Sequence, residues 1–408
     1  MEGEDSGRES EGAHESMDDE DVAIADAETE SWSGAEEEDF DITLPPSHSY
    51  LSSTARLEPV AGRAVLEPGW LGKVPCLAHH SVVFPGETVP VLLLPAPHHP
   101  PEALATIRNA RLFGLLCPCP DDSAAHVSDY GVVCEVLEVT PGTPLGFKAR
   151  AHRRFRVREP SRPPPPLHHY ETVQMLNVVI LPDVLIVDPL RGVRLASMDA
   201  RRPRAGPHVA RQIDATLTPW PPFIYDMFDS DRLERVVRTH FEAAVGKRLP
   251  TDLVSLSFWA ASNLVLGQRD RFALFVVDDV LQRLHMLVQH IGKQRRVVCC
   301  AACGTLVARL EHSFAMSSDG LHATFCNVGG HLHDVMTVSE ATNLVLTGGR
   351  SEEFSWFPGY AWSIAVCAVC AAHIGWRFDA CKRGLRPQRF WAICRNYVQP
   401  HDLVDSAE

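Results

Sequence analysis

Two Cys-x-x-Cys pairs, Cys300/Cys303 and Cys367/Cys370, have the spacing in this 408-residue chain that points most clearly to chemistry. Two intervening residues let a tight backbone knuckle turn both sulfurs toward one ion. Two such knuckles give the four thiolates of a tetrahedral, closed zinc site. A closed shell leaves no position for water, so the expected ion is a single structural Zn2+ and not a catalytic one. Between the knuckles lies Ser355-Trp356-Phe357-Pro358-Gly359-Tyr360-Ala361-Trp362, and after the second comes His373-Ile374-Gly375-Trp376-Arg377-Phe378. Three indoles within 21 residues offer broad flat faces, either as packing around the metal or as walls for a flat ligand.

The knuckles are 63 residues apart, against about 15–20 in a compact zinc ribbon, so the ion has to join strands distant in sequence. Buried, reduced cysteines with coincidental spacing are the other reading. A disulfide framework fits less well. The remaining cysteines (Cys76, Cys117, Cys119, Cys134, Cys299, Cys326, Cys381, Cys394) form no even pattern, and an acidic N-terminus is unlike a secretory signal.

Charge is distributed unevenly. Residues 1–40 hold 17 acids and one base, Arg8, while the other 368 residues hold 35 acids and 37 bases. The acidity therefore belongs to a tail, expected to be disordered, and the folded part is nearly neutral. Such a balance argues against direct nucleic-acid binding. The absence of any run of 18 apolar residues argues against a membrane span. A cytoplasmic and nuclear protein is expected. The one basic stretch, Lys148 to Arg158, alternates with Phe147, Ala149, Ala151, Phe155 and Val157, so it reads as a half-buried strand with a solvated basic face.

These groups must be positioned by the elements around them. Phe40 to Pro46 reads as an extended exit from the tail. From Val74 to Pro189 short apolar runs alternate with turn residues. Val82–Phe84 and Val89–Leu94 read as strands around Pro85-Gly86, Pro101–Leu112 as a helix, Gly131–Val139 and Gly146–Val157 as strands, and Met175–Val187 as an apolar run. Five prolines in Pro160–Pro166 mark a loop. Helices follow at Asp229–Val245, where Asp231 and Glu234 suggest a capping box after Ser230, and at Gln268–Ile291. The latter carries a seam of Leu274, Val277, Leu281, Leu284, Val288 and Ile291. After Cys299 the runs turn strand-like again, at His322–Asn327, Ala341–Leu346, Ala361–Val366 and His373–Phe378.

From Phe40 to about Tyr397 the sequence resembles the cereblon family. The segments that carry the resemblance are Phe40-Asp-Ile-Thr-Leu-Pro-Pro-Ser-His-Ser-Tyr-Leu51, Val83-Phe-Pro-Gly86 with Val89-Pro-Val91, Thr218-Pro-Trp-Pro-Pro-Phe-Ile-Tyr-Asp226, Trp356-Phe-Pro-Gly-Tyr-Ala-Trp362 and Ala372-His-Ile-Gly-Trp376. The resemblance implies an α+β multidomain protein. It would comprise an acidic tail (1–40), an extended strap (41–73), a Lon N-terminal-type β domain with appended helices (74–297), and a zinc-stapled, mostly antiparallel β domain (298–408). It implies a non-catalytic substrate receptor of a cullin–RING ubiquitin ligase, joined to the ligase core through the damage-specific DNA-binding adaptor protein. Small-molecule glutarimides and cyclic-imide degrons on substrate proteins would sit in a cage of Trp356, Trp362 and Trp376. Phe378 would form a neighbouring wall, Asn327 would flank the mouth, and the backbone along Phe354, Ser355 and Trp356 would pair with the imide edge. Phe354 stands where the family usually has a histidine that bonds an imide carbonyl. Gly329 and His331 replace the rim histidine and tyrosine, while His333 matches. The segment from Leu181 to Thr218, rich in Arg and Pro at 201–207, is shorter than the family's adaptor-binding helices and should form fewer turns.

Two enzyme classes compete with this reading. An ATP-dependent protease needs G-x-x-x-x-G-K-[ST], and none of the Gly-Lys pairs at 72, 246 and 292 has it; His-Glu-x-x-His and Gly-x-Ser-x-Gly are absent too. A methionine-sulfoxide-reductase-like zinc domain remains the alternative. It would require an exposed, low-pKa thiol in the aromatic pocket, for which Cys326 is the placed candidate, with Cys381 and Cys394 further off. An imide-binding module without ligase assembly is a further alternative.

Overall fold

The computed structural model describes residues 37–52, 56–60, 66–93, 101–120, 126–141, 145–159, 173–190, 197, 206–245, 248–293 and 297–401. All of them belong to one compact unit. The acidic tail before Glu37, the proline run at 160–166 and Arg201–Ala205 lie outside the described residues.

Two short strands, β1 (Glu38–Asp39) and β2 (Glu58–Pro59), precede β3 (Leu71–Ala78), β4 (Thr88–Leu93), α1 (Pro101–Ala110), β5 (Leu112–Pro118), β6 (Val127–Val139), β7 (Leu145–Val157) and β8 (Gln174–Ile180). Strands β2 to β8 form one sheet in the order β2-β6-β5-β3-β8-β7-β4. Because β6 also pairs with β7, five of these strands close on themselves, which removes open edges there. Both faces are buried. Val74, Cys76, Val133, Phe155 and Val178 fill one, and Phe113, Leu115, Val132, Phe147 and Ala149 fill the other.

Three local expectations are corrected by this packing. Pro101–Leu112 is not all helix, because Arg111 sits at φ 59°, ends the helix at Ala110, and lets Leu112 open β5. Val82–Phe84 is fully buried but is not a strand. Met175–Val187 keeps strand structure only to Ile180, and Val184–Val187 are exposed. The basic face of β7 is also not wholly solvated. Between Val133 and Cys134 the pairing skips from Arg153 to Ala151, and this bulge turns Arg154 inward. Arg154 is fully buried and is held by Asp183 (2.9 Å), Asp278 (3.0 Å) and the Phe275 carbonyl (2.8 Å). A guanidinium brings its own hydrogen-bonding demand into the core, so it is tolerated only with such partners.

The helical layer comprises α2 (Pro207–Thr216), α3 (Pro222–Asp226), α4 (Ser230–Val245), α5 (Leu253–Asn263), α6 (Gln268–Val276) and α7 (Val280–Gly292). Three aspartates set helix starts. Asp229 accepts from Arg232 N (3.1 Å), Asp252 from Ser255 N (2.8 Å) and Asp279 from Gln282 N (2.6 Å). The Asp231/Glu234 capping box is thus not formed, and Glu234 pairs with Arg238 instead. The single helix expected over Gln268–Ile291 is two. Val184 donates to Asp278 O and accepts from Val280 N, both at 2.8 Å, which withdraws that backbone from the helix.

After Lys293 come β9 (Val297–Cys300), β10 (Leu306–Arg309), β11 (His322–Cys326), β12 (Leu332–Val338), β13 (Leu344–Ser351), β14 (Tyr360–Cys367), β15 (His373–Ala380), β16 (Leu385–Arg386), β17 (Arg389–Cys394) and β18 (Val398–His401). A six-stranded antiparallel sheet runs β11-β12-β17-β15-β14-β13, and a three-stranded sheet runs β10-β9-β18. The molecule is therefore α+β, with a closed β unit and helices followed by a mostly antiparallel β unit. The extended N-terminal segment belongs to the second of these. There β1 pairs in parallel with β16, and Phe40 is buried edge-on against Tyr360 at 5.4 Å.

Candidate metal centre and aromatic pocket

Each zinc knuckle is built by the same short backbone device. In the first, Gly304 N donates to Cys300 O (2.8 Å) and Cys300 N donates to Thr305 O (2.7 Å). In the second, Ala371 N donates to Cys367 O (2.9 Å) and Cys367 N donates to Ala372 O (2.8 Å). Gly304 and Ala371 both take the left-handed conformation, at φ 74° and 56°. The four sulfurs fall within 4.8 Å of one another, with Cys300–Cys370 and Cys303–Cys367 each at 3.6 Å. A tetrahedral Zn2+ with bonds of about 2.3 Å requires sulfurs about 3.8 Å apart, so the donor set fits. Cys299 lies outside this group, as expected. Zinc here staples β9 to β14, two strands that lie in different sheets.

Ala371 pays a steric penalty for its conformation that Gly304 does not. Ala371→Gly should raise the stability of this region by about 0.5–1 kcal/mol. A zinc-chelation midpoint unchanged or lowered relative to the parent would show that the knuckle is not strained.

An aromatic cluster sits on one face of the six-stranded sheet. Trp362 on β14 is opposite Phe378 on β15, and Trp376 is opposite both Ile364 on β14 and Ala392 on β17, so their side chains share that face. Gly375 makes the strand contact possible, because a Cβ there would lie 2.1 Å from the Ala392 carbonyl oxygen. The loop between β13 and β14 folds over the face and inserts Trp356. Trp356 and Trp376 meet edge-to-face at 4.6 Å, and Phe325 stacks on Trp356 at 5.0 Å. Trp356 is buried, whereas Trp362 and Trp376 are half-buried. Each loop-spanning indole N–H is satisfied by backbone: Trp356 Nε1 donates to Cys326 O (3.1 Å) and Trp362 Nε1 to Glu353 O (2.8 Å). These bonds tie the loop to the sheet.

Phe378 is buried, stacked on Phe390 at 5.2 Å, and so is floor more than exposed wall. Ser355 Oγ donates to Phe357 O (3.1 Å) and braces the loop. Phe354 is exposed and held at φ 53°, an uncommon conformation for a bulky residue. Asn327 builds the β11–β12 turn: its Oδ1 accepts from Gly329 N (3.0 Å) and His331 N (2.9 Å). His333 lies edge-on to Trp376 at 5.0 Å, and burial pulls its pKa down to about 4, so the ring is neutral at physiological pH. Sequence reading missed two neighbours. Phe325 stacks on Trp356 and was recognisable only as an alternating position of its strand; His373 contacts Trp376 edge-on at 4.8 Å.

The thiols required by a sulfoxide-reductase chemistry do not have the right setting. Cys326 is fully buried, and burial pushes its pKa up to about 12. Burial likewise raises Cys394, and partial desolvation with the Glu352 carboxylate raises Cys381, which is exposed. A nucleophilic thiolate needs the opposite shift.

Comparison with known proteins finds relatives over most of the chain. Residues 296–407 match the family model described as Yippee zinc-binding/DNA-binding/Mis18, centromere assembly. Over 411 residues the chain is 29% identical to Protein cereblon of Danio rerio, covering 92% of each chain. It is 30% identical over 393 residues to Protein cereblon of Gallus gallus, covering 88% of this chain and 85% of that one. A solved Lon N-terminal domain protein from Xanthomonas campestris aligns with a TM-score of 0.29 at 19% identity, over 53% of this chain and 98% of that one.

Proposed function

This chain belongs to the cereblon family, and on that premise we propose that it is the substrate-recognition subunit of a cullin–RING ubiquitin ligase. In this reading it holds cyclic imides against Trp356, Trp362 and Trp376, presents the attached protein for ubiquitination, and carries no catalytic residue of its own. It would work in the cytoplasm and nucleus. The observation that carries the reading is the gathering of three indoles on one sheet face, two of them only half-buried, beside a loop tied down through Trp356 and Trp362. A flat imide has two apolar faces and a polar N–H/C=O edge, which suits indole walls with backbone donors and acceptors beside them.

Recruitment of the adaptor is supported by a second surface. Val209, Ile213 and Leu217 recur at four-residue steps along α2, and together with Trp220 and Phe223 they are 37–64% exposed. Exposed apolar side chains concentrated along one helix and its continuation indicate a partner surface. The zinc is structural in this scheme: it fixes β9 and β14, and the aromatic face is carried on β14 and its neighbours.

Two experiments test the proposal. Purification of the full chain from cells should bring the damage-specific DNA-binding adaptor and a cullin with it, and Leu217→Asp should abolish that while leaving imide binding intact. Imide binding without either partner would leave an imide-binding module and remove the ligase role. Phe354→His should tighten a fluorescent glutarimide several-fold, since one regained hydrogen bond is worth about 1 kcal/mol. Histidine tolerates the positive φ at this position, so the loop should keep its shape. Unchanged or weaker affinity would mean that the side chain at 354 does not reach the ligand.

A further inference from the structure

The partner surface proposed above is carried by two short helices. α2 has ten residues and α3 has five. An isolated helix needs about 12–15 residues to persist in water, so neither holds itself. Among the described residues, the buried apolar side chains gathered here are Leu190, Ala215 and Tyr225, a small cluster. Five larger ones, Val209, Ile213, Leu217, Trp220 and Phe223, stay exposed. Apolar burial alone therefore does little to fix this segment in one conformation.

One side chain compensates. Arg211, on α2, is only 13% exposed in its side chain. Its Nη1 donates to Asp188 Oδ2, and its Nη2 donates to the Tyr225 carbonyl of α3. Nη2 also lies 3.4 Å from Asp188 Oδ1, and Nε lies 3.4 Å from Asp229 Oδ2. Both aspartates are themselves fixed. Asp188 Oδ1 accepts from Leu190 N (3.0 Å), and Asp229 caps α4, whose Leu233, Val237 and Phe241 are buried in the core. A planar guanidinium with five donors can join three chain segments in this way, whereas an ammonium is a single point charge. Val209 and Ile213 lie two residues to either side of Arg211, about 200° around the helix from it, and Leu217 continues their row. Clamp and apolar row thus occupy opposite faces of α2. Asp188 also follows directly on Val184–Val187, so the same clamp ties a second exposed apolar run to this frame.

We infer that Arg211 is a positioning residue for partner capture, an inference that rests on the adaptor reading above. It holds α2 and α3 in one frame, so that the apolar row is presented preformed. Its effect is on population. When only a fraction of molecules holds the binding-competent arrangement, the apparent affinity falls by that fraction. The apolar contacts made in the complex are untouched by a change at Arg211. Its loss should therefore slow association and leave dissociation as it was.

The test uses the full, zinc-loaded chain and the purified adaptor protein. In Arg211→Met, hydrogen exchange of the α2 amides should rise about tenfold or more, with the amides of the six-stranded sheet unchanged. Association with the adaptor should slow by about the same tenfold at an unaltered dissociation rate. Arg211→Lys should not restore capture, because it keeps the charge and loses the fork. Asp188→Asn should weaken capture too, and the double variant should be no worse than Arg211→Met, since both act through one linkage. Arg238→Met breaks a different Arg–Glu pair, on α4, and should capture as the parent does. Glutarimide binding should match the parent throughout. Unchanged α2 exchange in Arg211→Met overturns the inference, and so does capture equal to the parent's. Full rescue by Arg211→Lys also overturns it, since charge alone would then suffice. A parent chain that captures no adaptor is a separate failure: it removes the adaptor reading, and the partner role of Arg211 with it, whatever α2 exchange shows.

Discussion

Cys303→Ser should release about one zinc per chain and unfold the last β unit before the rest of the molecule. The expected effect is large, because apparent zinc affinities of about 10–16 kcal/mol at such sites are folding free energy. The structure explains why little else could compensate. The second knuckle ends β14, whose other residues carry Trp362 and pair with β15, and the first ends β9 in another sheet. Without the ion, two pairs of sulfurs 3.6 Å apart would face one another with nothing joining them. Metal content by atomic absorption, followed by indole fluorescence during heating, would read both consequences. Full zinc occupancy in the variant would show that the ligand set is wrong.

Truncation of either half-buried indole should have the next largest effect. Trp376→Ala and Trp362→Ala should each weaken glutarimide binding by about 2–4 kcal/mol, enough to abolish micromolar affinity. Trp356→Ala is expected to behave differently. Its ring is nearly buried, stacked on Phe325 and wedged against Trp376, so its loss opens a cavity in the aromatic core and lowers stability as well. The measurement is titration with a fluorescent glutarimide on the full chain, with zinc content and melting temperature as controls for folding. The full chain is needed because Phe40, where the acidic tail meets the N-terminal strap, completes this core against Tyr360 and Phe357. If Trp362→Ala binds as well as the parent, the tryptophans are packing and the receptor reading loses its chemical basis.

The sequence by itself determined those features that local chemistry controls. The four zinc ligands were legible because a two-residue gap between cysteines has a single common geometric use, and the structure brings all four sulfurs together. Most strands and the helical middle were legible from apolar patterning, and the start of the helix at Ser230 from its run of polar cap residues. Sequence could not show that Asp229 is the cap, or that Gln268–Ile291 breaks at Val277, because Val184, distant in the chain, takes the backbone bonds there. Nor could it show that one residue of bulge turns Arg154 from solvent into the core. The same limit applied to the three tryptophans, whose spacing alone favoured packing around the metal and left the pocket to the family resemblance. What separates Trp356 from Trp362 and Trp376 is which strand face and which loop each occupies, and that depends on the pairing of β14 with β15 and β17. Register is a property of the assembled sheet, so the exposure of an indole, like the meeting of Arg211 with Asp188 and Asp229, was decided only by the tertiary structure.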